Sequence, residues 1–240
     1  MRLLLLSERL VKSVARKKIL FVIVEGPSDE EALGLLLSRI YTTREIFVKI
    51  MHGDITTQKG VNPSNILSKI GNVVKAYAKT EKFGKRDFAG IIHIVDTDGA
   101  YIPDTSIVKD AEAVKTLYAG TEIRTEHPNN IMQRNNQKRS ILNLLCTCPE
   151  IWGLPYQIFY MSCNLDHVLH NKQNSTDEEK KTDAFAFAKA YRDKIPEFIK
   201  FISDSPFSVC TSYDDSWRYI KEGLHSLERH TNLGLCFKER

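Results

Sequence analysis

Residues Ile19-Leu20-Phe21-Val22-Ile23-Val24 run without a polar interruption and end at Glu25-Gly26-Pro27-Ser28. An apolar run rich in β-branched side chains and bounded by turn residues reads as a strand buried on both faces, the kind found inside a parallel sheet. Ser28 with Glu31 three positions on forms a capping box, which starts a helix. Ala32, Leu33, Leu36, Leu37 and Ile40 follow as one apolar stripe along it.

The same alternation continues outward. Ile46–Ile50, Gly90–Val95 and Tyr156–Met161 are further strand segments, and the first of these is followed by a polar loop over 51–62. Pro63 can open the next helix, with Ile66, Leu67, Ile70, Val73 and Val74 inward. The spacing predicts a helix over 106–118, while 121–140 reads as a polar loop rich in Asn, Gln and Arg. Residues 1–18 read as a short amphipathic helix with a basic end. Residues 175–229 read as helices broken near Pro196 and Pro206. Strands alternating with helices predict an α/β fold: a mainly parallel sheet with helices on both faces. The strand-free end, 173–240, is expected as a helical extension packed on a core of residues 1–172.

Composition narrows the function. The 240 residues carry 34 Lys and Arg against 30 Asp and Glu, a net charge of +4, which excludes a histone-like polycation. Five cysteines, an odd number with no leader ahead of them, fit reduced thiols and a cytoplasmic setting. The four leucines near the start are too few for a membrane span, and no other stretch reaches the roughly 18 apolar residues that one needs.

Acidic residues follow three of the strands. Glu25 ends the first, Asp96 and Asp98 end the Gly90–Val95 strand, and Asn164 and Asp166 lie just past the last. Open parallel sheets bind ligands outside the carboxyl ends of their strands. Carboxylates gathered there repel unless a cation lies among them, and Mg2+ or Mn2+ with hard oxygen ligands suits that role. On this reading Asp98→Asn relieves repulsion and stabilises the metal-free protein. Asp29 serves either as one more ligand or as the acid that a helix N-terminus favours.

Val24-Glu25-Gly26-Pro27-Ser28-Asp29 and Val95-Asp96-Thr97-Asp98-Gly99 resemble the Glu-Gly and Asp-x-Asp motifs of TOPRIM domains, in order and in their positions after apolar strands. The overcoming-lysogenization-defect nucleases are the most similar group. The resemblance covers roughly residues 18–170 by element order and implies a TOPRIM-like catalytic core. It implies an endonuclease in which Glu25, Asp96 and Asp98 are catalytic, with Glu25, Asp29, Asp96, Asp98 and Asp166 available to metal. Glu25 would hold the first ion or carry a proton. The group's third acid-x-acid motif is matched by Asn164-Leu165-Asp166, with an amide in place of the first carboxylate. A late basic residue of the group corresponds to Lys172, Arg218 or Lys221. Many members carry a fused ATPase, but no Gly-x-x-x-x-Gly-Lys-Ser/Thr motif is present here. The resemblance therefore implies a stand-alone anti-phage effector acting on DNA or RNA, with a regulatory partner such as a separately encoded ATPase.

Arg134, Lys138 and Arg139, among Asn129, Asn130, Asn135 and Asn136, are the expected phosphate contacts. The basic residues between Lys69 and Arg86 read as a solvated face. Two other functions compete. Asp96-Thr97-Asp98-Gly99 also matches a haloacid-dehalogenase-like phosphatase, with Asp214 and Asp215 as its later acids. A non-catalytic protein that keeps the fold as a docking surface is the third. Cys146, Cys148, Cys163, His167 and His170 lack the spacing of a standard zinc site, and buried thiols are the expected outcome.

Overall fold

The computed structural model of the chain describes residues 17–42 and 46–238. The expected N-terminal helix lies almost wholly outside them. In order, the elements are β1 (Lys18–Val24), α1 (Pro27–Thr42), β2 (Ile46–His52), α2 (Ile66–Thr80), β3 (Phe88–Asp96), β4 (Ile107–Lys109), β5 (Leu117–Tyr118) and β6 (Ile123–Thr125). Then come α3 (Pro128–Leu145), β7 (Glu150–Ile151), β8 (Leu154–Met161), α4 (Leu165–His170), α5 (Asp177–Tyr191), α6 (Ile195–Asp204) and α7 (Tyr213–Tyr219).

Strand period sorts β1 between two cores. Leu20, Val22 and Val24 face one layer with Leu33, Leu36 and Leu37 of α1, joined by Phe187 of α5 and Phe198 of α6. Ile19, Phe21 and Ile23 face the other, built from Ile66, Ile70 and Val74 of α2, Ile141, Leu142 and Leu145 of α3 and Trp217 of α7. Burial on both faces explains why β1 is apolar throughout. The main sheet has the order β2-β1-β3-β8-β7, with β2, β1, β3 and β8 parallel and β7 antiparallel at the edge. The fold is α/β with a mixed, mostly parallel sheet between helical layers.

Several local expectations change. The helix expected over 106–118 is absent; β4 and β5 lie there and flank β6 in a second, three-stranded sheet. Ile107 is buried under that sheet with Ile102, Ile123 and Ile131, a contact that outweighs the local pattern. Most of the polar stretch 121–140 is α3, opened by Pro128. Its inward stripe is Ile131, Asn135, Lys138, Leu142 and Leu145, and the two polar members hide the helical period. The capping box does not form. α1 starts at Pro27, and the Gly26 N–H donates to Asp29 Oδ2 at 2.9 Å, so Asp29 takes the place expected of Glu31. Pro63 sits in the turn ahead of α2, which starts at Ile66. β7 and β8 form a hairpin whose two turn residues, Trp152 and Gly153, both have positive φ.

Among the described residues the outer edge of β8 beyond β7 has no neighbouring strand, yet it is closed. The Tyr213 hydroxyl donates to the Ile158 carbonyl, and the Tyr160 N–H donates to Asn232 Oδ1 at 2.8 Å. The Thr231 hydroxyl donates to the Tyr160 carbonyl, and the Ser162 N–H to the His230 carbonyl. The strand-free C-terminal part thus supplies the bonds that another strand would give. Among the described residues no helix is long and apolar enough to cross a membrane.

Candidate functional site: a carboxylate edge with a buried lysine

Strand order marks the place. From β1 the chain crosses to β2 on one side, and from β3 to β8 on the other, so the order reverses between β1 and β3. At such a reversal a crevice opens outside the carboxyl ends of the two strands. Glu25 leaves the end of β1 and Asp96 the end of β3, and Asp98 follows two residues later.

The turn carrying Asp98 is strained and heavily tied. Asp98 has φ 50° and Gly99 φ 68°, consecutive left-handed residues. Asp tolerates that region better than most residues. At Gly99 a Cβ would also meet Ile123 Cδ1 at 3.0 Å. The Asp98 N–H donates to the Cys163 carbonyl and the Gly99 N–H to the Ser226 carbonyl. The Thr97 hydroxyl donates to the same Ser226 oxygen and accepts from the Cys163 N–H. The turns after β3 and β8 therefore hold one another through residue 226.

Helix α3 packs its polar stripe on this turn. Lys138 lies between two carboxylates: its Nζ is 3.2 Å from Glu25 Oε1 and also donates to Asp98 Oδ2. The lysine side chain is 1% exposed, Glu25 12% and Asp98 21%. One turn back, Arg134 donates to the Asp98 carbonyl at 2.8 Å and to the Tyr118 hydroxyl at 2.8 Å. Tyr118 reaches Asp98 Oδ1 at 3.4 Å. Asn135 donates to the Gly99 carbonyl and Arg139 to the Ala100 carbonyl. The three basic residues expected as phosphate contacts on a loop are thus helix residues fastened to residues 98–100. Lys138 has almost no surface left to offer.

Electrostatics divides the acids. Burial pushes Glu25 up to about 8; Lys138 opposes the shift, while Asp98, Asp54 and Asp29 add to it. Asp96 is held well above the usual carboxylate range by burial and then by Glu25, Asp29 and Asp98. Among the described residues nothing donates a hydrogen bond to the Asp96 carboxylate. For Asp98 burial acts upward, but Lys138 and Arg134 outweigh it and hold the carboxyl below its ordinary value. Burial likewise disfavours the Lys138 ammonium, and Asp98 and Glu25 more than restore it.

Asp29 and Asp166 form a neighbouring pair. Burial raises Asp29 to about 6, with Asp166 adding to the shift. Lys180 of α5 lies 3.8 Å from Asp166 Oδ2. The Asn164 amide is spent locally: its Oδ1 caps α4 through the His167 N–H, and its Nδ2 donates to the Gln173 carbonyl. The late cations are engaged elsewhere. Lys172 pairs with Asp183, Arg218 with Asp215, and Lys221 lies over the Tyr101 ring, 3.9 Å from Cys146 Sγ. Asp214 and Asp215 lie in the first turn of α7, where Ser212 is the cap and its Oγ accepts from the Asp215 N–H. Cys146, Cys148 and Cys163 are free thiols. His93 is a core residue, with Nδ1 2.9 Å from the Tyr156 hydroxyl.

Asp54 and Tyr118 were not legible as site residues. Asp54 follows β2, and the Gly53 N–H beside it donates to the Val24 carbonyl. Thr56 and Thr57 hold its carboxylate, whose charge acts on Glu25 and Lys138. Its position just past a third parallel strand was the available signal. Tyr118 arrives from the small sheet, which the sequence pattern does not announce.

Hard oxygen donors in excess of the cations beside them suit a divalent ion, and the unpartnered Asp96 carboxylate is the clearest sign of that excess. Glu25, Asp96 and Asp98 would hold such an ion. As they stand, no three His, Cys, Asp or Glu side chains among the described residues converge on one point, because Lys138 lies between Glu25 and Asp98. Two hollows flank the edge. One, of about 570 Å³, lies at the start of α1 and is lined by Ser28, Lys180 and Lys181 among others. The other, of about 230 Å³, is lined by Thr56, Thr57, Asn130, Gln133, Arg134 and Gln137. Compared with protein-family models, with curated proteins and with solved structures, the chain gives no match in any of the three.

Proposed function

We propose that the protein is a divalent-cation-dependent nuclease of TOPRIM type that hydrolyses phosphodiester bonds in nucleic acid. The observation that carries this reading is the placement of Glu25 after β1 and of Asp96 and Asp98 at the end of β3, the two strands between which the strand order reverses, with Glu25 and Asp98 both in contact with Lys138 Nζ. Glu25, Asp96 and Asp98 would hold a Mg2+ or Mn2+ ion, which would supply Lewis-acid polarisation of a phosphoryl oxygen. Glu25, raised toward neutral pH by burial, can take or return a proton at its carboxylate. Arg134 fixes the Asp98 turn through the backbone carbonyl, so the carboxylate keeps its direction. The two flanking hollows give an extended substrate room on both sides. Lys180 and Lys181 offer phosphate contacts in one, and the amides and hydroxyls of the other suit sugar and base edges.

The test is direct. Purified protein is incubated with plasmid, single-stranded DNA and transfer RNA, with Mg2+, Mn2+ or a chelator. Cleavage of one or more substrates is expected with ion and none with chelator. Glu25→Gln and Asp96→Ala should each abolish it while the circular dichroism spectrum stays native. Full activity in either variant overturns the reading.

A further inference from the structure

Lys138 makes the carboxylate edge more than a set of ligands. Its ammonium has three protons to donate, and two carboxylates of the edge take contacts from it. The side chain is 1% exposed, so no water shell competes for it. We propose that the Lys138 ammonium is an internal counter-ion that competes with a divalent cation for the Glu25 and Asp98 oxygens, so that cation binding and release of Lys138 are one event. This inference rests on the metal-dependent reading above and adds the control of that site.

Three observations carry it. The first is the shared oxygens: Glu25 Oε1 and Asp98 Oδ2 belong to the residues that would hold the ion, and both face Nζ. A divalent ion on the same atoms would lie at contact distance from a positive charge, where repulsion in a partly buried site is strong. The second is that the backbone of α3 is held apart from its lysine. Arg134 and Asn135 bind the Asp98 and Gly99 carbonyls, so the helix stays seated when the ammonium leaves. A lysine has a flexible four-carbon stem and can make that movement without its helix. The third is the uneven neutralisation of the acids. Lys138 Nζ contacts Glu25 and Asp98, whereas among the described residues no hydrogen bond reaches the Asp96 carboxylate, which a cation can approach first.

The ion-free protein is thereby held in a resting state, and its apparent ion affinity is the intrinsic affinity multiplied by the small fraction of molecules with Lys138 displaced. The test uses the full chain and two readouts that do not depend on cleavage. Mn2+ binding is measured from the free-ion electron paramagnetic resonance signal for wild type and Lys138→Met. The variant should bind at least about tenfold more tightly. In wild-type protein labelled with 15N-lysine, the buried ammonium should give a slowly exchanging signal without ion, lost or shifted on saturation with Mg2+. If Lys138→Met does not fold, the wild-type signal decides alone. Equal or weaker Mn2+ affinity in a folded variant, or an unchanged ammonium signal while Mg2+ binds, overturns the competition and leaves the nuclease reading standing. Absence of ion binding in both folded proteins overturns the competition and the metal-dependent reading together.

Discussion

Lys138 reverses the sign of a prediction that carboxylate repulsion alone would make. With only acids at the edge, Asp98→Asn would remove a like charge and stabilise the ion-free protein. With the buried ammonium resting on Asp98, the same change strands a cation that is 1% exposed. It should instead cost roughly 1–3 kcal/mol, the range for a buried group that loses one of its partners, since Glu25 still contacts the ammonium. Urea unfolding of both proteins in chelator measures this, and a more stable variant would mean that Lys138 does not rest there. Glu25, Asp29 and Asp96 give a second prediction. Burial first, and neighbouring acids after it, raise all three above their unfolded values. The folded protein therefore keeps protons that the unfolded chain has lost, and its stability falls as pH climbs from the ordinary carboxylate range near about 4 toward the value of about 8 for Glu25. Asp98 acts oppositely: its depressed value gives stability above the unfolded value that is lost on acidification. His93, His167, His170 and His230, held below their ordinary value by burial, act oppositely as pH rises toward about 6.5, so the effect of Glu25 is read as a difference: relative to Glu25→Gln, the ion-free wild type should lose melting temperature between about pH 5 and pH 8. The same pH dependence in both proteins would count against a proton held on Glu25.

Helix α5 brings Lys180 and Lys181 to the hollow at the start of α1, where Glu31 and Asp177 also line it. These lysines, unlike Lys138, retain surface for a phosphate chain. Lys180→Ala with Lys181→Ala should weaken nucleic-acid binding and lower the slope of log affinity against log salt by about one unit for each phosphate no longer neutralised. An unchanged slope assigns that hollow to something other than phosphates. Legibility from sequence also divides by element. β1, β3 and β8 are visible because burial on both faces forces apolar runs, continuous in Ile19–Val24 and broken only by His93 in Ile91–Val95. Glu25, Asp96 and Asp98 are visible because they end such runs. Helix α3 was hidden because two of its buried positions are Asn135 and Lys138, whose partners are a carbonyl and two carboxylates rather than apolar side chains. A hydrophobic pattern cannot register a residue buried by ion pairing. The small sheet was hidden for a different reason: β4, β5 and β6 are two or three residues each, too short for any period to show.

Across the whole molecule the C-terminal part does two jobs through a few buried polar groups. Asn232 is fully buried, accepting from the Tyr160 N–H and donating to the Ser216 hydroxyl. Asn232→Ala leaves a strand N–H without a partner and should cost about 1–3 kcal/mol. Hydrogen exchange should show the loss at the Tyr160 amide. If that amide stays protected, the edge of β8 is closed by something else. Ser226 does the second job, tying Thr97 and Gly99 across a separation of 129 positions from Thr97. That distance along the chain becomes a delay during synthesis. A growing chain that has emerged as far as α5 already carries Glu25, Asp96, Asp98 and Lys138, with the left-handed turn at Asp98 tied to Cys163 and α3 but still without its Ser226 acceptor. At ribosomal speed that acceptor follows Asp98 by on the order of ten seconds. The carboxylate edge therefore gains its last backbone ties only after residue 226 has emerged, and a shorter ribosome-bound chain holds every acid of the site on a turn not yet fully fastened.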